Sequence, residues 1–267
     1  MIRLLVAMVF ACVGAVAQAE TMRLAVTTSF HNSGLSDVLL PAIERDTGLE
    51  VQLLVVGTGQ AIRLGEAGDV DAILVHSRAA EDAFVANGFG THRREIMYND
   101  FVLVGPREDP AGISASESAV VALERIASTR VPFVSRGDDS GTHKMELSLW
   151  AASDASIDEG WYREVGAGMG AALNTAAGLG AYILSDRASW LNFGNKDGME
   201  LLYSGDPVLF NQYAYLPVSA ARHAHVKADA AATLEDWLTS ATAQALIDDY
   251  RIAGEQLFVF NAQPRDE

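Results

Sequence analysis

Short apolar runs that alternate with helix-patterned segments constrain this chain more than any other feature. Residues 22–26, 51–56 and 70–75 are runs of the buried-strand type, and helix-like spacing fills 35–45, 60–66 and 79–87. Strands and helices alternating at this interval predict βαβ units around a parallel sheet. Pro41 falls inside the first helical pattern and blurs where that helix starts. A further strand at 101–104 leads into Gly105-Pro106 and a polar stretch, 107–118, that reads as a boundary. A second α/β region follows, with a helix near 117–128, a strand at 131–134 and a helix opening at Gly141. The glycine- and alanine-rich stretch 166–177 reads as a loop entering a helix, 213–218 as a strand, and 229–238 and 241–250 as terminal helices. No long linker separates the two regions. The expected architecture is therefore α/β and two-lobed, with one lobe inserted in the other. Residues 20–100 and 214–267 form the first lobe and 101–213 the second, with hinge strands near 98–106 and 211–218.

The N-terminus predicts export. Arg3, an apolar run of about 13 residues from Leu4 to Val16, and Ala17-Gln18-Ala19 match a signal peptide with its cleavage site over 1–19. The run is shorter than the ~20 residues that span a bilayer. Cys12 leaves with it, so the mature chain has no cysteine for a disulfide, a thiolate nucleophile or a metal. The expected product is a soluble periplasmic protein. Its formal net charge of -16 disfavours nucleic acid and anionic lipid as partners. An anionic ligand would have to be held by short-range donors, because water and salt screen distant surface charge.

Hydroxyl residues and glycines cluster where strands give way to helices. Thr27-Thr28-Ser29 is one such cluster and Gly57-Thr58-Gly59-Gln60 another; Ser135-Arg136-Gly137-Asp138-Asp139-Ser140-Gly141-Thr142-His143 is the richest. Ligands of open α/β sheets bind beyond the carboxyl ends of the strands. Helix N-termini there present unpaired N–H groups and a partial positive charge suited to an anion. Glycine admits close approach of the backbone, Ser and Thr add hydroxyl donors, and Arg136 supplies a charged fork. Each cluster alone is more simply an ordinary N-cap; Asp138 and Asp139 alone are charges that complement a helix dipole. The coincidence of three clusters, drawn from both regions, points to one cleft.

Six stretches resemble the tungstate-binding proteins of Tup-type ABC transporters, in the type II periplasmic binding-protein superfamily. They are Thr27-Thr28-Ser29 with Ser33-Gly34-Leu35, the stretches 56–61, 71–76 and 97–106, the run from Phe133 to Lys144, and Gly168-Met169-Gly170. The run from Ser135 to His143 is the most specific. The resemblance covers essentially the whole mature chain, with two departures: Val26 where a further threonine often stands, and Phe30-His31-Asn32 after the first cluster. It implies a Venus-flytrap fold closing over a tetrahedral oxyanion that is handed to an ABC permease. Carried over by position, it implies that Thr28, Ser29 and Thr58 donate from the first lobe, and Arg136, Ser140, Gly141 and Thr142 from the second. Met169 and Gly170 would offer backbone N–H at a further helix start. The ligand it implies is tungstate, with molybdate next; no cofactor is expected, no metal other than that in the oxyanion, and a monomeric protein.

Two alternatives stand beside this reading. Phosphate keeps a proton at neutral pH and would prefer an acceptor carboxylate, which Asp138 or Asp139 would supply if turned inward. A periplasmic sensor subunit would bind the same oxyanion and signal through a membrane partner. An enzyme is not expected, because no Gly-x-Ser-x-Gly elbow surrounds Ser140. Gly166-x-Gly168-x-Gly170 has no preceding apolar strand, as a dinucleotide site would. His223 and His225 lack a third ligand nearby and read as surface residues.

Overall fold

In this computed structural model the described residues are 20–138, 140–157 and 160–263. The expected signal peptide over 1–19, with its Cys12, lies outside them, and so does Asp139. The chain runs β1 (Glu20–Thr27), α1 (Thr28–Asn32), α2 (Leu35–Thr47), β2 (Leu49–Val56), α3 (Thr58–Ala67), β3 (Ala72–Val75), α4 (Arg78–Ala86) and β4 (Arg94–Pro106). It continues with α5 (Ala119–Thr129), β5 (Phe133–Ser135), α6 (Gly141–Ala151), β6 (Tyr162–Glu164), α7 (Met169–Leu179), β7 (Tyr182–Asp186) and α8 (Arg187–Asn192). β8 (Met199–Tyr203), β9 (Phe210–Pro217), α9 (Ala228–Leu238) and α10 (Ala241–Asp248) follow, then the short strands β10 (Arg251–Ile252), β11 (Glu255–Gln256) and β12 (Val259–Phe260). Among the described residues no helix is long and apolar enough to cross a membrane.

β1 pairs in parallel with β2 and β3, and β5 in parallel with β6 and β7. The two parallel groups are joined by antiparallel strands. β9 lies against β3, and β4 lies against β9 through Arg94–Asp100 before switching to β7 through Phe101–Val104. The chain thus crosses from one group to the other inside β4, at Asp100 and Phe101. It returns between the end of β8, which pairs with β4, and the start of β9. Arg187 at the start of α8 braces this switch with a two-pronged ion pair to Asp100, at 2.6 and 2.5 Å.

Side-chain alternation gives each sheet group a core on both faces. Met22, Leu24 and Val26 of β1 pack with Tyr213, Tyr215 and Leu234, while Ala25 faces Ile73, Val75 and Leu216. In β4, Phe101 and Leu103 pack with Leu123, Phe133 and Trp150, and Val102 and Val104 with Leu173 and Ile183. Burial on both faces explains why these strands read as continuous apolar runs. α2 continues through Pro41, whose ring lies on the exposed side of the helix.

Candidate functional site

Five of the six strands of the two parallel groups (β1, β2, β5, β6 and β7) bring the helix starts that follow them to one cavity of about 530 Å³. A water's share of liquid volume is about 30 Å³, so the space accommodates a small polyatomic ligand with several waters. Thr28, Ser29, Asn32, Gly57, Thr58, Gly59, Gln60 and Arg63 line it from the first group. Arg136, Asp138, Ser140, Gly168, Met169, Gly170, Asp186 and Ser189 line it from the second.

The N-termini of α3 and α7 are the most open to a ligand. Their caps, Gly57 and Gly168, provide no side-chain acceptor to the first N–H groups. A Cβ at Gly57, Gly168 or Gly170 would meet nothing within 4 Å, and none of the three has a positive φ. Glycine is therefore not required there by the backbone or by neighbours. It leaves room for a ligand to reach the N–H groups. The other starts cap themselves: Thr27 Oγ1 accepts from Phe30 N, Ser140 Oγ from His143 N at 3.2 Å, and Asp186 Oδ1 from Ser189 N at 2.8 Å. Ser140 thus caps α6.

Charge in the cavity is nearly balanced. Arg136 is 13% exposed and forms an ion pair with Asp138, whose other oxygen accepts from Ser140 N at 3.2 Å. Partial burial pulls the Asp138 carboxyl upward, but the Ser140 and Arg136 donors outweigh it and hold the carboxyl below its usual range. An internal carboxylate thus occupies two of the expected anion donors. Asp186 is buried, and that burial raises its pKa against the opposing Ser189 and Arg136. Arg63 adds a second guanidinium at the mouth, where it donates to Gln60.

Ser29 organises the first-group side. Its Oγ lies 3.1 Å from Thr27 Oγ1, 3.0 Å from Tyr213 Oη and 3.3 Å from His76 Nε2.

Of the nine expected site residues, Thr28, Ser29, Thr58, Arg136, Ser140, Met169 and Gly170 line the cavity. Gly141 and Thr142 do not: Gly141 is pressed against His76, and Thr142 is buried within α6. Asp186 and Ser189 belong to a strand and helix unread in the sequence, although the apolar run 181–184 before Asp-Arg-Ala-Ser carried the signal of a strand ending at an N-cap. Among the described residues no group of three His, Cys, Asp or Glu side chains could hold a metal ion. His223 and His225 instead bond the carbonyls of Glu66 and Gly68 at 2.9 Å.

A family model described as a PBP superfamily domain matches residues 14–242. The tungstate-binding protein TupA of Peptoclostridium acidaminophilum is 43% identical over 243 residues, 90% of this chain and 85% of the relative. The solved tungstate-binding protein TupA from Desulfovibrio alaskensis superposes with a TM-score of 0.86 at 43% identity, covering 92% of this chain and all of that one. A tungstate ABC transporter structure from Geobacter sulfurreducens gives 0.79 at 44% identity, covering 86% and 99%.

Proposed function

This chain belongs to the periplasmic-binding-protein superfamily and, within it, to the family of the TupA tungstate-binding proteins; on that premise we propose that it captures a tetrahedral oxyanion for an ABC importer, tungstate first and molybdate next. The observation that carries the reading is that two helix N-termini without side-chain caps, α3 and α7, line one cavity with Arg136. Backbone N–H groups and a guanidinium are donors only, which suits an anion without a proton. The same reading implies a monomer in the periplasm, freed of residues 1–19, that docks on an inner-membrane permease. Its two lobes, 20–100 with 214–267 and 101–213, would close on the anion by bending where β4 changes partners, a population shift toward the closed form.

Thermal shift and calorimetry with tungstate, molybdate, sulfate and phosphate test the proposal. Tungstate and molybdate should stabilise the protein, by about 4.1 kcal/mol at 1,000 times the dissociation constant. No shift with any of the four would sink it. Asp138 and Asp186 give a second reading its footing, because a lining carboxylate can accept the proton of hydrogenphosphate. Phosphate binding more tightly than tungstate would decide for that reading.

The open glycines give a second expected result. Gly168→Ala suits the local backbone, at φ -63 and ψ 162, so the ligand-free protein should keep its melting temperature. Its methyl group would occupy ligand space, and tungstate binding should weaken roughly tenfold, as a steric clash of about 1.4 kcal/mol implies. Unchanged affinity would show that the anion sits elsewhere in the cavity.

A further inference from the structure

His76 follows β3 and meets the opposite parallel group at Gly141. A methyl group built on Gly141 would lie 2.5 Å from Cε1 of the imidazole, 3.1 Å from Nδ1 and 3.5 Å from Nε2. Real side chains do not tolerate the shortest of these distances. Gly141 has no positive φ, and Ser140 already caps its helix, so neither backbone freedom nor capping calls for glycine here. What calls for it is the ring.

The ring borders a second cavity of about 260 Å³, and two contacts tie it to the first group. Nε2 lies 3.3 Å from Ser29 Oγ, and the imidazole packs on Tyr213 with ring centroids 4.9 Å apart. Tyr213 is fully buried in the first core, and its own hydroxyl lies 3.0 Å from Ser29 Oγ. Burial also lowers the His76 pKa to about 4, against the opposing Asn211, so the ring is neutral near pH 7. A continuous line of contacts thus leaves the cavity at Ser29, passes through His76 to Gly141, and returns to the cavity at Ser140.

We infer that His76 is a positioning residue for anion capture: its ring is the surface on which the start of α6 seats, and Gly141 is glycine to admit it. The inference rests on the oxyanion reading. It gives the glycine of the Ser-Gly-Thr stretch a role in lobe-to-lobe fit, distinct from contact with the ligand. Seating α6 on a ring that is itself fixed to Ser29 sets the distance between the donors of the two groups.

The test is a double-mutant cycle on the full chain, with tungstate binding by calorimetry, radius of gyration by solution scattering, and ligand-free melting as a control. Gly141→Ala should weaken binding about tenfold or more, because the overpacked methyl holds α6 off its seat, and should reduce compaction on adding tungstate. His76→Ala should weaken binding a few-fold by loosening Ser29. In the His76→Ala background the added Gly141→Ala should cost less than about twofold, since the methyl group then has space. Should Gly141→Ala alone fail to fold, His76→Ala/Gly141→Ala must restore both folding and binding. An equal cost of Gly141→Ala in both backgrounds, or no cost in the wild type, overturns the positioning role and leaves the oxyanion reading standing. Wild-type protein that binds no oxyanion overturns both.

Discussion

Arg136→Ala is expected to weaken tungstate binding by roughly ten- to more than a hundredfold, the range of 1.5–3 kcal/mol for hydrogen bonds to a charged group. The upper end is favoured by what the substitution leaves behind. Arg136 is paired with Asp138 and also offsets the buried Asp186. Without the guanidinium, the lining Asp138 and Asp186 would face the incoming anion with, among the described lining residues, only the Arg63 charge to offset them. Asp138→Asn should act in the opposite direction. In the ligand-free protein the Asp138 carboxylate occupies Arg136 and Ser140 N, so the ligand must displace an internal anion before it binds there. Asparagine is a weaker competitor for those donors, and affinity should rise several-fold, for about 0.5–1.5 kcal/mol of net hydrogen bonding. Calorimetry at fixed ionic strength measures both. Unchanged affinity in Arg136→Ala removes that residue from the site. A loss of affinity in Asp138→Asn means that Asp138 supports the ligand directly, as the phosphate reading requires.

The sequence disclosed the donors better than it disclosed what holds them. β3 and the second half of β1 were legible because burial on both faces writes them as apolar runs, whereas β2, an edge strand and only partly buried, was legible from its apolar end, 53–56. β4 was read as an apolar strand at 101–104, its doubly buried part, with a hinge strand near 98–106. Its first half carries Arg94, Glu95, Tyr98, Asn99 and Asp100, partly exposed or hydrogen-bonded positions that mask a strand. That half is the one that carries the chain between the two sheet groups. Asp186 was invisible as a site residue because an N-cap aspartate has the same sequence signature whether it faces solvent or a cleft. The Arg136–Asp138 pair was hidden for a similar reason: an acidic residue before a helix reads first as a complement to the dipole. Gly141 was read as a point of ligand approach, the usual meaning of glycine beside an anion site. Its actual neighbour, His76, is brought to it only by the packing of the two groups.

Glu146→Gln is expected to make the protein more stable above pH 7 and to leave it unchanged near pH 4. Glu146 lies on α6, is 1% exposed, and accepts from the Tyr162 hydroxyl at 2.6 Å. Burial pushes its carboxyl from the ordinary 4.5 up to about 7, against Tyr162, Ser135 and Trp150, with the nearby Glu164 charge adding to the rise. Among the described residues no Lys or Arg forms a salt bridge with it. Between those two values the unfolded chain has released its proton while the folded chain keeps it, so stability falls as pH rises. The loss is absent below about 4.5 and complete above about 7. A displacement of this size corresponds to something on the order of 3 kcal/mol. Glutamine keeps the carbonyl that accepts from Tyr162 and has no proton to lose, so the slope should vanish in the variant. For a chain of this size each kcal/mol moves the melting temperature by roughly 2–4 °C, and the gap between variant and wild type should open from pH 5 to about pH 7 and then level off. A constant offset across that range would mean that the carboxyl is not titrating in the fold. Glu146 does not line the cavity, so tungstate affinity at pH 7 should be the same in both proteins, which separates the stability of α6 from the donors at its start.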